Sequence, residues 1–404
     1  MKIDRRKFLQ VSLAGSLPLF LGRAGQLLAA EGKWENDRIL VVLQLSGGND
    51  GLSTVVPHGD DAYHNARKAV RIENPVRLNE YLGLHPNLEP ISRMYKDGHV
   101  AIVQGASYPN PSRSHFKSMD VWHTGSPKGR GVDTGWVGRS VDKCCAGSSE
   151  PNLVVNVGTN VPYALRAEVH KAVSFQQPQA YRWNGNRRDE GVFDRLNQED
   201  QGMTDASWLR GVAASALKSS SAVREAAANY KPKVEYPPGR LAQDLRIVAS
   251  LISGGLPTRV FYVAMGGYDT HVRQKGRHNN LMNQLGRSVA AFHGDLAANG
   301  LGGRVVTMAF SEFGRRLKEN ASGGTDHGVA GPMFVFGEKV RGGIYGEHPS
   351  LTDLDRGDLK LVTDFRSVYA TIIRHWLQTD PKKILGQAYP ELDFLGAGRP
   401  RGWY

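Results

Sequence analysis

The sequence predicts an α/β protein: a mainly parallel central sheet between helix layers, with a polar and helical insertion. Three observations support this. Six short apolar runs occur along the chain: Arg38–Leu45, His99–Gln104, Asn152–Val157, Arg259–Met265, Arg304–Phe310 and Pro332–Phe336. Their near-continuous Val/Ile/Phe content fits strands covered on both faces, not half-exposed ones. Stretches with helical spacing lie between or after them, at Pro238–Ser253, His278–Asn299 and Thr363–Leu377. The recurring order of strand, helix and strand suits a layered, mostly parallel architecture.

Taken from the start, residues 1–30 read as an address. Asp4-Arg-Arg-Lys-Phe-Leu-Gln10 contains twin arginines, Val11–Leu21 is apolar but too short to span a membrane, and Leu28-Ala-Ala30 supplies small residues for cleavage. The segment resembles a Tat signal peptide. It implies the Tat translocase as an export partner, a periplasmic or extracellular destination, and no stable transmembrane segment in the mature chain. Removing it takes away five basic side chains (Lys2, Arg5, Arg6, Lys7, Arg23) and one acid (Asp4), so the net charge falls from +12 to +8. That balance suits an anionic ligand. Without basic runs interleaved with aromatics it argues against nucleic acid.

The remaining 31–404 reads as one α/β domain, with an insertion over residues 176–238. The insertion begins Gln-, Asn- and Arg-rich, continues as an Ala-rich helix over Ala206–Tyr230, and is ended by the prolines between Lys231 and Pro238. Cys144 and Cys145 are the only cysteines, and adjacent residues rarely reach normal disulfide geometry, so they read as buried thiols.

Chemistry gathers where the predicted strands end. The first strand empties into SGGNDG, whose glycines would clear space for Asp50 to face a ligand at the carboxyl edge of the sheet. The second is followed by NPSRSHF (Ser112, Arg113, Ser114, His115). The fourth leads to GGYDTH (Asp269, His271), the fifth to SEFGR (Glu312, Arg315), and TDHG (Asp326, His327) precedes the sixth. Carboxylates and imidazoles are ligands for zinc, manganese and related divalent ions. Asp50, Asp269, His271, Glu312, Asp326 and His327 would suffice for one or two of them. A plainer reading stands beside each: a turn residue for Asp50, a helix cap for Ser114, an ion pair for Glu312 with Arg315. SGGNDG has neither G-x-G-x-x-G spacing nor a P-loop lysine, which argues against nucleotide chemistry.

The set SGGNDGL, NPSRSHF, GGYDTH, SEFGR and TDHG, with the closing TDFRSVYATIIRHWL, resembles the DUF1501 family. That family has a distant likeness to the alkaline phosphatase and sulfatase superfamily. The resemblance implies an alkaline-phosphatase-like sheet and divalent metal (zinc, manganese or calcium). It also implies a strand-end Asp matched by Asp50 and a nucleophile within Ser112–His115. Ser114 is favoured, with Ser112 and His115 as competing registers. Asp269 and His271 match an Asp and His that follow a later strand, with His278 as a competing ligand. On the same register Glu312 replaces an Asp, Phe313 replaces a His, and His327 matches the final metal histidine. The implied function is an exported metal-dependent hydrolase of phosphate or sulfate esters, acting on an anionic small molecule or envelope polymer. Ser114 would attack, Asn49 and Arg113 would steady the ester oxygens, and Arg113 or Arg315 would neutralise developing charge. The competing expectation is a non-catalytic exported binding or assembly protein that kept the fold.

Overall fold

The structure, a computed structural model, describes residues 37–182, 191–192 and 205–396. The twin-arginine segment and most of the polar part of the insertion lie outside the described residues.

The main sheet contains β1 (Ile39–Ser46), β5 (Val100–Ser107), β6 (Val154–Val157), β7 (Val173–Phe175), β8 (Val260–Gly266), β9 (Val305–Phe310), β12 (Gly331–Phe336), β13 (Gly343–Tyr345) and β14 (Thr363–Asp364). Its order is β13-β5-β12-β9-β1-β8-β6-β7, with β14 also pairing β5. β2 (Val55–Val56), β3 (Val76–Arg77) and β4 (Gly83–Leu84) form a small separate sheet, and β10 (Arg315–Glu319) pairs with β11 (Thr325–His327). All six predicted runs are strands of the main sheet. β12 alone runs antiparallel to its neighbours β5 and β9; the other pairings are parallel.

The apolar runs are continuous because each strand faces two cores. In β1, Ile39, Val41, Leu43 and Leu45 enter one core, while Leu40 and Val42 enter the other. The first core lies beneath the helices Glu89–Lys96, Arg240–Ser253 and Gln274–Ala298. The second lies beneath His115–Thr124, Trp136–Cys144 and Phe365–His375. Polar residues in the middle of such a strand would lose hydration on both sides, so the period-2 alternation of a one-sided sheet is absent. The Ala-rich segment of the insertion forms the helix Asp205–Ala228, which packs on Arg240–Ser253. Among the described residues, no helix is long and apolar enough to cross a membrane.

This topology places the site. The parallel strands β1, β5, β8 and β9 all end at one edge of the sheet. Because β12 runs the other way, its beginning lies at that same edge. The loops after the first four strands and the β10–β11 hairpin before β12 therefore converge.

Candidate metal centre

Three imidazoles close on one carboxylate at this edge. His115 is the first residue of its helix, Asp269 and His271 lie in the loop after β8, and His327 ends β11. Asp269 Oδ1 lies 3.1 Å from His271 Nε2 and 3.1 Å from His327 Nε2. Asp269 Oδ2 is 3.7 Å from His115 Nε2, and the two nitrogens His271 Nε2 and His327 Nε2 are 2.9 Å apart. The ligand-type atoms of His115, Asp269 and His327 all fall within 4.8 Å of one another, the one such group among the described residues. For bonds of roughly 2.0–2.1 Å, ligands around a tetrahedral ion stand about 3.3 Å apart. The observed spacings bracket that value.

The outer nitrogens decide what the inner ones can do. His327 Nδ1 faces the carbonyl of Arg113 at 2.8 Å, an acceptor only, so Nδ1 bears the proton. His115 Nδ1 meets Glu312 Oε1 at 2.8 Å, and His271 Nδ1 faces Asp326 Oδ1 at 3.4 Å. In the neutral rings all three Nε2 atoms then present lone pairs toward Asp269, which is itself an acceptor. Such a set repels itself unless a cation or shared proton sits among its members. A metal-bound histidine that donates its other N–H to a carboxylate or carbonyl has this arrangement. The donor set and its spacing therefore fit a divalent ion.

Burial works against the charge of Asp269, but the Arg315 guanidinium beside it leads the groups that outweigh it and hold the carboxyl at about 2. The hydrogen bond that His115 donates to Glu312 lifts it above the usual imidazole range. Burial lowers His327. Arg315 is fully buried and builds the floor: its guanidinium reaches Gly48 O at 2.7 Å, Thr325 O at 2.8 Å, Tyr268 O at 3.1 Å and Asp269 Oδ1 at 2.6 Å. One arginine thus ties three loops together.

The other predicted residues fall around this centre. Glu312 stands behind His115 and also accepts from Gly47 N and Ser311 Oγ; its partner is His115 and not Arg315. Asp326 stands behind His271 and is held by Asn320. Asn49 is buried, with its N–H on Ser311 Oγ and its Oδ1 accepting from Thr54 Oγ1. Arg113 pairs with Asp358, which also binds Arg316. Ser114 is exposed at the N-cap position of its helix, yet its side chain makes no capping bond. Ser112 Oγ accepts from Ser114 N at 3.2 Å.

Asp50 is not gathered into the centre. It is fully buried and takes two bonds from Arg67, at 2.6 and 2.9 Å, with Ser53 Oγ at 2.7 Å and Gln274 Nε2 as further donors. His278, the competing ligand, is also buried, 3.5 Å from Thr54 Oγ1. The glycines of SGGNDG clear space for something else. A Cβ at Gly47 (φ +123°) would stand 2.4 Å from the backbone nitrogen of Asp269, and one at Gly48 (φ +76°) 2.3 Å from the ring of Phe313. Phe313 in turn packs against His115 and His327, at centroid distances of 4.9 and 4.6 Å, and walls the imidazoles on their apolar side.

Sequence reasoning placed His115 only as an alternative nucleophile and missed Arg67 and Gln274. The signal for His115 was its place in the NPSRSHF loop beside the other strand ends. A buried Arg67 partner for Asp50 leaves no local pattern.

Comparison with known proteins gives three findings. The model of a family described as "Protein of unknown function (DUF1501)" matches residues 100–388. No curated protein matches the sequence. Solved structures with similar folds include the PsFucS1 sulfatase from Pseudoalteromonas sp., at 11% identity and a TM-score of 0.42, covering 88% of this chain and 70% of that one. They also include Ps i-CgsB in complex with k-i-k-neocarrahexaose, at 10% identity and 0.39, covering 87% and 73%. A third is the C-terminal periplasmic domain of EcEptC from Escherichia coli in complex with Zn, at 10% and 0.35, covering 76% and 75%. At TM-scores this low the likenesses add nothing to what the site's own atoms say.

Proposed function

The chain belongs to the DUF1501 family, and from that premise we propose that it is a metal-dependent hydrolase of phosphate or sulfate esters, with one divalent ion held by His115, Asp269, His271 and His327. The observation that supports the reading most is the convergence of three Nε2 atoms on Asp269, each ring tied from behind by an acceptor. A nitrogen-rich set favours zinc or manganese over calcium, which prefers oxygen ligands. One ion is favoured over two because Asp50 is engaged by Arg67 and Glu312 by His115, Gly47 and Ser311. When bound, the ion would polarise an ester oxygen or make a bound water more acidic.

The chain's own residues supply the rest. Arg113 and Arg316, each about one-third exposed and drawn together on Asp358, offer positive charge beside the centre for an anionic ester. The N–H groups at the start of the helix His115–Thr124 favour negative charge in the same place. The uncapped, exposed hydroxyl of Ser114 is the nucleophile on this reading. Residues 1–30 would direct the folded chain through the Tat translocase to the periplasm or beyond, where an envelope polymer or small ester would be met.

Metal analysis of the purified protein, followed by assay against aryl phosphates and aryl sulfates, tests the proposal. Folded protein that binds neither zinc nor manganese and leaves every ester intact would refute it. A second reading, binding of an anionic ligand without turnover, draws on Glu312 being committed to its three partners and so not free to take the proton of Ser114. Under the hydrolase reading Ser114→Ala abolishes turnover; under the second, ligand binding is unchanged by it and no turnover is seen in either protein.

A further inference from the structure

Two neutral imidazoles whose lone pairs face each other at 2.9 Å repel. Something other than the rings must hold the His271 loop against the His327 loop before an ion arrives. Behind them lies Gln274, buried at the start of the helix Gln274–Ala298. Its amide is fixed from both ends. Nε2 donates to the Asp50 carboxylate, which can only accept, and Oε1 accepts from Thr270 Oγ1 at 2.9 Å and from Thr325 Oγ1 at 2.6 Å. Only one orientation of the amide satisfies all three partners.

The two threonines are well placed to matter. Thr270 sits between Asp269 and His271, and Thr325 sits two residues before His327. Their backbones also meet, Thr325 N donating to Thr270 O at 3.3 Å. Asp50 cannot drift, because Arg67 holds both of its oxygens and anchors in turn on Leu317 O and Arg316 O, within β10 itself.

Resting on the metal reading above, we propose that Gln274 and Asp50 are positioning residues: a buried clamp that joins the two histidine loops at Thr270 and Thr325 and so sets the centre's affinity for a divalent ion. This gives the strand-end carboxylate a role one layer behind the ligands. Partners of this kind orient ligating groups, and their loss typically weakens metal binding by about 10–100-fold.

The test titrates Zn²⁺ by calorimetry into metal-stripped protein, with the visible spectrum of the Co²⁺ form as a second readout of ligand geometry. Gln274→Met removes both ends of the clamp at similar length, Thr325→Val removes one hydroxyl at constant shape, and Thr325→Ser restores it. The expected result is a Zn²⁺ Kd raised about 10–100-fold in Gln274→Met and Thr325→Val, with altered Co²⁺ bands. Thr325→Ser stays within a few-fold of wild type. Should Gln274→Met fail to fold, the Val/Ser pair at position 325 decides the matter alone. Wild-type affinity and spectrum in the folded clamp variants would overturn the clamp while leaving the centre intact. A wild-type protein that takes up no Zn²⁺ or Co²⁺ would overturn the centre and the clamp together.

Discussion

Replacing Arg67 by Met isolates how the carboxylate at the end of β1 is held. Arg67 and Asp50 are both fully buried, and the guanidinium spends its remaining donors on Ser53 Oγ, Leu317 O and Arg316 O. Burial alone would push Asp50 upward. The charge and hydrogen bonds of Arg67, with help from His278 and Ser53, outweigh it and hold the carboxyl at about 2, against 3.8 for a free Asp. The folded pKa lies below the unfolded one, so this stabilisation is present above about pH 4 and disappears as the pH falls toward 2. Its size is about 2 kcal/mol. Met keeps most of the volume but leaves a buried carboxylate without a counter-charge, a loss of about 3–5 kcal/mol at neutral pH. Burial then governs Asp50, its folded pKa rises above 3.8, and the sign reverses: the variant recovers ground as the pH falls. Urea unfolding of both proteins at about pH 7.5 and pH 5 measures the gap, which is expected to be wide at the first and narrower at the second. Adding Asp50→Asn to the variant should close part of the gap at the higher pH. A variant within 1 kcal/mol of wild type, or a gap indifferent to pH, would refute the reasoning.

Other perturbations test neighbouring parts of the molecule. His115→Ala or His327→Ala removes one ligand, and bound metal per chain, measured by plasma mass spectrometry after dialysis, should fall to near background while the far-ultraviolet dichroism is retained. Gly47→Ala places a methyl against the backbone of Asp269 at a positive φ; a loss of more than about 2 kcal/mol in urea unfolding is expected. His293 is buried against Thr307, and burial holds it at about 3 against 6.5 when free. Its folded pKa is the lower one, so the unfolded state binds more protons and stability falls as the pH drops below 6.5. Between pH 7 and pH 5 this amounts to about 2 kcal/mol, and His293→Gln should lose that much less over the same interval.

Much of the fold is legible in the sequence because strands with two buried faces leave an unmistakable trace. A run such as Ile39-Leu-Val-Val-Leu-Gln-Leu45 has no solvent face to interrupt it. The two-residue strands β2, β3, β4 and β14 leave none, since their pairing is decided by distant partners. The site divides in the same way. Asp269, His271, Glu312, Asp326 and His327 stood out because strand ends at one edge must share a neighbourhood. The partner of Asp50 did not, because Arg67 returns through a short helix and a turn whose composition says nothing of a buried charge. The glycines of SGGNDG read as clearance for Asp50, but what Gly47 and Gly48 clear is the Tyr268–Asp269 backbone and the Phe313 ring, which belong to loops far away in sequence.

The place of β1 in the sheet has a consequence for how the protein is made. Among the described residues the first strand to leave the ribosome is an interior one, bonded on one side to β8 and on the other to β9. Both of its edges stay bare until Gly266 has been translated and one of them until Phe310, and unpaired apolar edges invite association with other chains. A nascent chain stalled before Val305 would present that strand half-covered. The strand order thus leaves β1 outside the ribosome without its partners for more than 200 residues of synthesis, an interval in which a chaperone would lower the risk of association.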